Sequence, residues 1–242
     1  MERYFIDTSG VDLKARAEIV GKAFEVAKKL NVSHIILCVP TFGGEWLNGI
    51  FEEEVKEQRL RERVPINGIE LGLESRNTVN ELFFDYVIIT MGLRADDLFN
   101  FECNRHVKAI LALPWIREEI DDWVNGFGVT ELRSGVQQEK LQLPCVVEKA
   151  LEELTESINL SSGITNSYDN DRAKTTVRAL NKYNYELSVP AIKAWLIEHY
   201  WTQGGMNSFT ELVEKVNNGK YFQGGETTGL QHYKNRWEDE CN

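Results

Sequence analysis

Four short, continuous apolar runs constrain this chain more than any other feature: YFI at 4–6, HIILCVP at 34–40, DYVIIT at 85–90 and VKAILALP at 107–114. A short run with no polar face reads as a strand buried on both sides. The segments between them carry helical spacing. Residues 12–30 place Val20, Ala23, Phe24, Ala27 and Leu30 on one face, and 45–62 is a charged helix with Trp46, Leu47, Ile50, Phe51 and Val55 inward. RADDLFNFECNR and IREEIDDWVNGFG read as two further helices. Strands separated by helices must cross over, and crossovers make parallel pairs. INGIELGL at 66–73 and VTEL at 129–132 add a fifth and a sixth strand. The expectation for residues 1–140 is an α/β domain of Rossmann or flavodoxin type. Such a domain is a three-layer sandwich around a mainly parallel sheet of five to six strands.

The pattern changes beyond residue 140. A helix is expected over 146–158, then a polar, Gly-containing linker, NLSSGITNSYDND, at 159–171. After it come only helical patterns, at 172–183, 189–201 and 208–219, and a last amphipathic stretch marked by Leu230, Tyr233 and Trp237. Ser208 and Glu211 form an S-x-x-E capping box, and Gly219 stands just past the end of that segment. Residues 141–171 thus read as helix and linker, and 172–242 as a small all-helical C-terminal domain.

Charge narrows the partners. The net charge is −11, and residues 168–242 hold ten acids against nine bases, so nearly all of it lies in the first part. That field repels phosphate backbones and argues against nucleic acid as a partner of the N-terminal domain. The C-terminal helices, with Trp195, Tyr200, Trp201, Tyr233 and Trp237 near Lys220, Lys234 and Arg236, keep nucleic acid open. No apolar run approaches the roughly 18–20 residues of a membrane span, and the N-terminus has no signal-peptide pattern. The expectation is a cytoplasmic protein, without membrane partners, free to form a homo-oligomer. Cys38, Cys103, Cys145 and Cys241 are widely spaced with no CxxC pair, so neither a disulfide framework nor structural zinc is expected.

In a parallel sheet, ligands bind outside the carboxyl ends of the strands. The first strand runs into Asp7, Thr8, Ser9 and Gly10. Hydroxyls and backbone N–H groups there suit an anion, though Ser9 and Asp12 also fit a helix start. PTFGGEW, with Thr41, Gly43 and Gly44, forms the second rim loop, and TMGLRADD, with Thr90, Gly92 and Arg94, the third. An arginine can grip a carboxylate or phosphate with two bonds. The leading reading is binding of a small anionic ligand, with a nucleotide first in line, by a sensor or an enzyme. A further reading makes the chain a non-catalytic scaffold. Cys103 and His106, beside Glu102, are a two-residue cluster whose ordinary role is a helix face.

YFIDTS at 4–9 also resembles the opening of PIN-domain nucleases, where the first strand ends in an acid followed by Thr or Ser. The resemblance implies Mg²⁺ or Mn²⁺ held by carboxylates at the strand ends, here Asp7, Glu45, Asp96 and Asp97. The metal would activate water against a phosphodiester.

Overall fold

The computed structural model describes residues 1–43, 57–161 and 163–242. The chain divides into two compact units, Met1–Glu139 and Lys140–Asn242.

The first unit is built on a seven-stranded, mostly parallel sheet. Its strands are β1 (Glu2–Phe5), β2 (His34–Val39), β3 (Val64–Ile66), β4 (Ile69–Ser75), β5 (Tyr86–Met91), β6 (Val107–Leu113) and β7 (Thr130–Glu131). Their order is β3-β4-β2-β5-β6-β1-β7. The four apolar runs become β1, β2, β5 and β6, which are contiguous and parallel. Ile35, Leu37, Val39, Val87, Ile89, Leu111 and Leu113 face the apolar stripe Ala15, Ile19, Ala23 and Val26 of α1 (Leu13–Leu30). The alternate residues, Ile36, Cys38, Ile88, Ile110 and Ala112, are buried as completely. That two-sided burial is why these strands contain no polar alternation.

Among the described residues the sheet has seven strands rather than five to six. INGIELGL is not one strand but a hairpin: β3 pairs antiparallel with β4, Ile66 opposite Ile69. Asn67 and Gly68 form the turn with φ of 50° and 80°. Positive φ at both central residues is what a two-residue hairpin loop demands, and Asn-Gly is its commonest solution. Of the charged helix expected over 45–62, α2 (Glu57–Arg61) is described; α3 (Ala95–Glu102) and α4 (Asp121–Phe127) follow β5 and β6.

Helix α1 starts at Asp12, not Ser9. The Asp12 carboxylate accepts from the Ala15 N–H at 2.9 Å and lies 2.9 Å from Arg133 Nη2. These bonds, the backbone one foremost, hold its carboxyl below its usual value of 3.8. A depressed folded value means stability that is present above pH 3.8 and lost as pH falls through the lower folded value. Asp12→Ala is therefore expected to cost about 1 kcal/mol at neutral pH. Urea melts should show the gap closing in acid; a gap that widens there would refute the assignment.

The second unit is helical: α5 (Cys145–Ser157), α6 (Ser167–Lys182), α7 (Val189–Glu198), α8 (Gln203–Asn217) and α9 (Leu230–Asp239). Two starts differ from the sequence expectation. α6 begins inside the segment read as a linker. Asn166 caps it by accepting from the Asp169 N–H at 2.8 Å, and buried Asp169 accepts in turn from the Asn159 N–H at 3.2 Å. The polar residues there are capping residues. α8 begins five residues before Ser208, capped by Thr202, whose hydroxyl accepts from the Gly205 N–H at 3.2 Å. Gly205 suits that turn because the Cα of Gly163 lies 3.3 Å from where a Cβ would stand. The cysteine expectation is also corrected: Cys145 and Cys241 form a disulfide. They are 96 residues apart in sequence, and the pairing of α5 with α9 brings them together.

Candidate functional site

The carboxyl ends of six parallel strands lie along one edge of the sheet. The three loops singled out from sequence fall at two places on it. Thr41 and Gly43 follow β2, and Thr90 is the last residue but one of β5; these strands are neighbours, with Cys38 opposite Thr90. Asp7, Thr8, Ser9 and Gly10 follow β1, which is separated from β5 by β6. At about 4.8 Å per strand that is roughly 10 Å.

At the β2–β5 end, Gly43 has φ 81°, and its N–H donates to the Glu57 carboxylate at 3.0 Å. The Arg61 guanidinium covers the Phe42 ring at 4.3 Å. Thr90 is buried. Gly92, at φ 66°, donates its N–H to Leu113 O at 2.9 Å and so turns the chain off the strand. Arg94 precedes α3 (Ala95–Glu102), and its backbone N–H faces Asp97 Oδ2 at 3.4 Å. Its guanidinium is 74% exposed and 3.0 Å from Glu119. A carboxylate already sits against the Gly43 N–H, so this loop holds an anion of the chain's own. Gly44 and Glu45 lie outside the described residues.

At the β1 end, Asp7 is 68% exposed, with Oδ1 3.5 Å from Arg117 Nε. Its backbone N–H donates to the Glu131 side chain at 3.3 Å, and the Ser134 N–H donates to the same carboxylate at 2.6 Å. Burial works against ionisation of Glu131, but these backbone donors prevail and hold its carboxyl below the usual value. The Thr8 hydroxyl donates to Asp12 at 3.2 Å. Ser9 Oγ accepts from the Arg117 N–H at 3.2 Å, and the Gly10 N–H donates to Trp115 O at 2.7 Å. Arg117 also pairs with Asp121 and stacks over Phe5 at 4.5 Å.

Sequence reasoning missed the loop after β6. Arg117 reaches Asp7 on one side and Glu119 reaches Arg94 on the other, so residues 115–119 join the two halves of the rim. The signal was available: VKAILALP is a strand, and WIRE follows its carboxyl end as the other loops follow theirs. Among the described residues no three His, Cys, Asp or Glu side chains converge in a way that could hold a metal ion. Asp7 is engaged by Arg117, while Asp97 serves the start of α3.

The Glu102–Cys103–His106 cluster is structural. Glu102 binds Arg3 and Trp123. His106 Nδ1 lies 3.1 Å from Asp85. Burial, reinforced by the Glu102 charge, pushes the Cys103 thiol up to about 12, which leaves no thiolate for nucleophilic work at neutral pH. In the helical unit Trp195, Trp201 and Trp237 are buried, whereas Tyr200 is exposed. No helix among the described residues is long and apolar enough to cross a membrane.

Residues 143–238, within the helical unit, match the family model of a domain of unknown function, DUF1889. No curated protein and no solved structure matches the chain.

Proposed function

We propose that the α/β unit is a Rossmann-like three-layer domain that binds a small anionic ligand of the nucleotide class. The ligand sits where β2 and β5 lie side by side. One observation carries the reading. From β2 the chain goes on to β4 on one flank, and from β5 to β6 on the other. Neighbouring parallel strands whose connections depart in opposite directions leave a crevice above their carboxyl ends, and ligands of this fold class bind there. The residues beside it suit an anion. Arg94 offers an exposed guanidinium at the start of α3 and exposed Thr41 a hydroxyl, whereas Thr90 is buried and the N–H groups of Gly43 and Gly92 already have partners within the chain. On binding, Arg94 exchanges Glu119 for the ligand.

Thermal melts with AMP, ADP and ATP test the reading. A nucleotide at a hundred times its Kd should stabilise the chain by about 2.7 kcal/mol. Arg94→Gln should remove that shift yet leave the ligand-free melt within about 1 kcal/mol, because it breaks only a surface ion pair. No shift with any nucleotide would overturn the reading. The metal-dependent nuclease alternative has its own arm. It requires stabilisation by Mn²⁺ that Asp7→Asn abolishes, together with a rise in metal-free stability as crowded carboxylates are relieved.

A further inference from the structure

The helical unit contains a groove of about 750 Å³ walled by α5, α6, α9 and the loop Gly224–Glu226. Nothing in the reading of the rim uses it. Its construction is specific. Gly224 and Gly225 have φ of 90° and 70°, and a Cβ on Gly225 would stand 2.9 Å from the Thr175 backbone nitrogen. Only glycine lets this loop lie against α6. The loop is then fastened: the Gly225 N–H donates to Asp171 at 3.0 Å, and the Glu226 N–H donates to the Thr175 hydroxyl at 2.8 Å. Arg178 donates to the carbonyls of Phe222, Gly224 and Glu226 at 2.7–3.1 Å.

The lining carries both signs of charge. Arg172 is held by tyrosine: it donates to the Tyr168 hydroxyl at 2.5 Å and lies over that ring at 4.6 Å. A phenol leaves the guanidinium's charge uncompensated. Arg236 is half satisfied, since it pairs with Glu153 while its buried Nε–H has no acceptor among the described residues. The lining also carries Asp171, next to Arg172 on α6, and Glu226, which is bonded to Tyr233. Leu154 and the rings of Tyr168 and Tyr233 supply apolar surface.

We propose that this groove binds short peptides with free termini, taking the carboxylate on Arg172 and the ammonium on Asp171 and Glu226. Three carboxylates beside two guanidinium groups would repel a multiply charged phosphate, and a cation alone would leave Arg172 unanswered. A zwitterion answers both signs of charge. A cavity of 750 Å³ exceeds what a free amino acid fills and lies within the usual range for small-ligand pockets. Leu154 and the two tyrosine rings then border the middle side chain of a tripeptide.

Heteronuclear NMR of the full chain tests this with the tripeptide Ala-Leu-Ala. The expected result is saturable perturbation of the Arg172 Nε–H and of the Gly224–Glu226 amides. N-acetylation, C-amidation and Arg172→Gln should each weaken binding at least tenfold, while Lys215→Gln, which breaks a surface pair with Glu211 on α8 outside the groove lining, leaves it unchanged. Should Arg172→Gln lose its spectral dispersion, the modified peptides on the unaltered chain decide. No perturbation at about 10 mM peptide overturns the proposal. So does equal binding of the C-amidated peptide, of free leucine, or of inorganic phosphate alone at the same residues.

Discussion

Reduction of the Cys145–Cys241 disulfide should lower the melting temperature of the helical unit by roughly 15–30 °C. The bond joins residues 96 apart and so ties the start of α5 to the chain just past α9, the first and last helices of the unit. Cross-linking a loop of that length removes much of the freedom of the unfolded chain, on the order of 4 kcal/mol. A unit of about a hundred residues shifts by several degrees for each kcal/mol. The check is a pair of circular-dichroism melts with and without a phosphine reductant. The Cys145→Ser, Cys241→Ser double variant should melt like the reduced protein and ignore the reductant. A reductant-independent melt of the unaltered chain would show that the bond contributes nothing.

Glu102→Ala should destabilise the α/β unit by about 3–5 kcal/mol. The Glu102 side chain is 1% exposed and serves three donors. Arg3 Nε and Nη2 donate to it at 2.7 and 3.0 Å, and the indole N–H of Trp123 donates at 3.0 Å. Trp123 is fully buried, and the Arg3 guanidinium lies over Phe127 at 4.1 Å. Truncation leaves a buried N–H and a partly buried guanidinium without their acceptor and opens a cavity beside both. Removing the charge from both partners is milder: Arg3→Met with Glu102→Leu should recover a substantial part of the loss. Urea denaturation of the three proteins measures this. A single variant within 1 kcal/mol of the parent would mean that water replaces the carboxylate.

The strands of the α/β unit were legible because burial on both faces removes polar residues from them; HIILCVP and DYVIIT have few other uses. The hairpin at 64–75 was not. Its first strand is three residues long with Pro65 in the middle, and the alternation of INGIELGL reads smoothly across the turn. Asn67-Gly68 was the clue, and it is a local one. The starts of α6 and α8 were misplaced for the opposite reason, since capping residues resemble linker residues. Ser208 and Glu211 have the spacing of a cap yet lie within a helix that Thr202 begins. Tertiary features were illegible. Nothing near Cys145 announces Cys241, and Glu102 looked like one more acid on a helix until Arg3 and Trp123 converged on it. Of the rim, sequence located the loops but not their neighbours. Which loop meets which depends on strand order, and β6 lies between β5 and β1.

The two ends of the sheet share a property that matters for how the molecule meets others of its kind. At one margin stands β3, three residues interrupted by Pro65; at the other stands β7, two residues long. A proline offers no N–H, and two residues give almost no ladder to copy. The long, apolar β2, β5 and β6, each capable of templating an aggregate, are enclosed between these blunt margins. Among the described strands, growth by adding a foreign strand at either margin is discouraged.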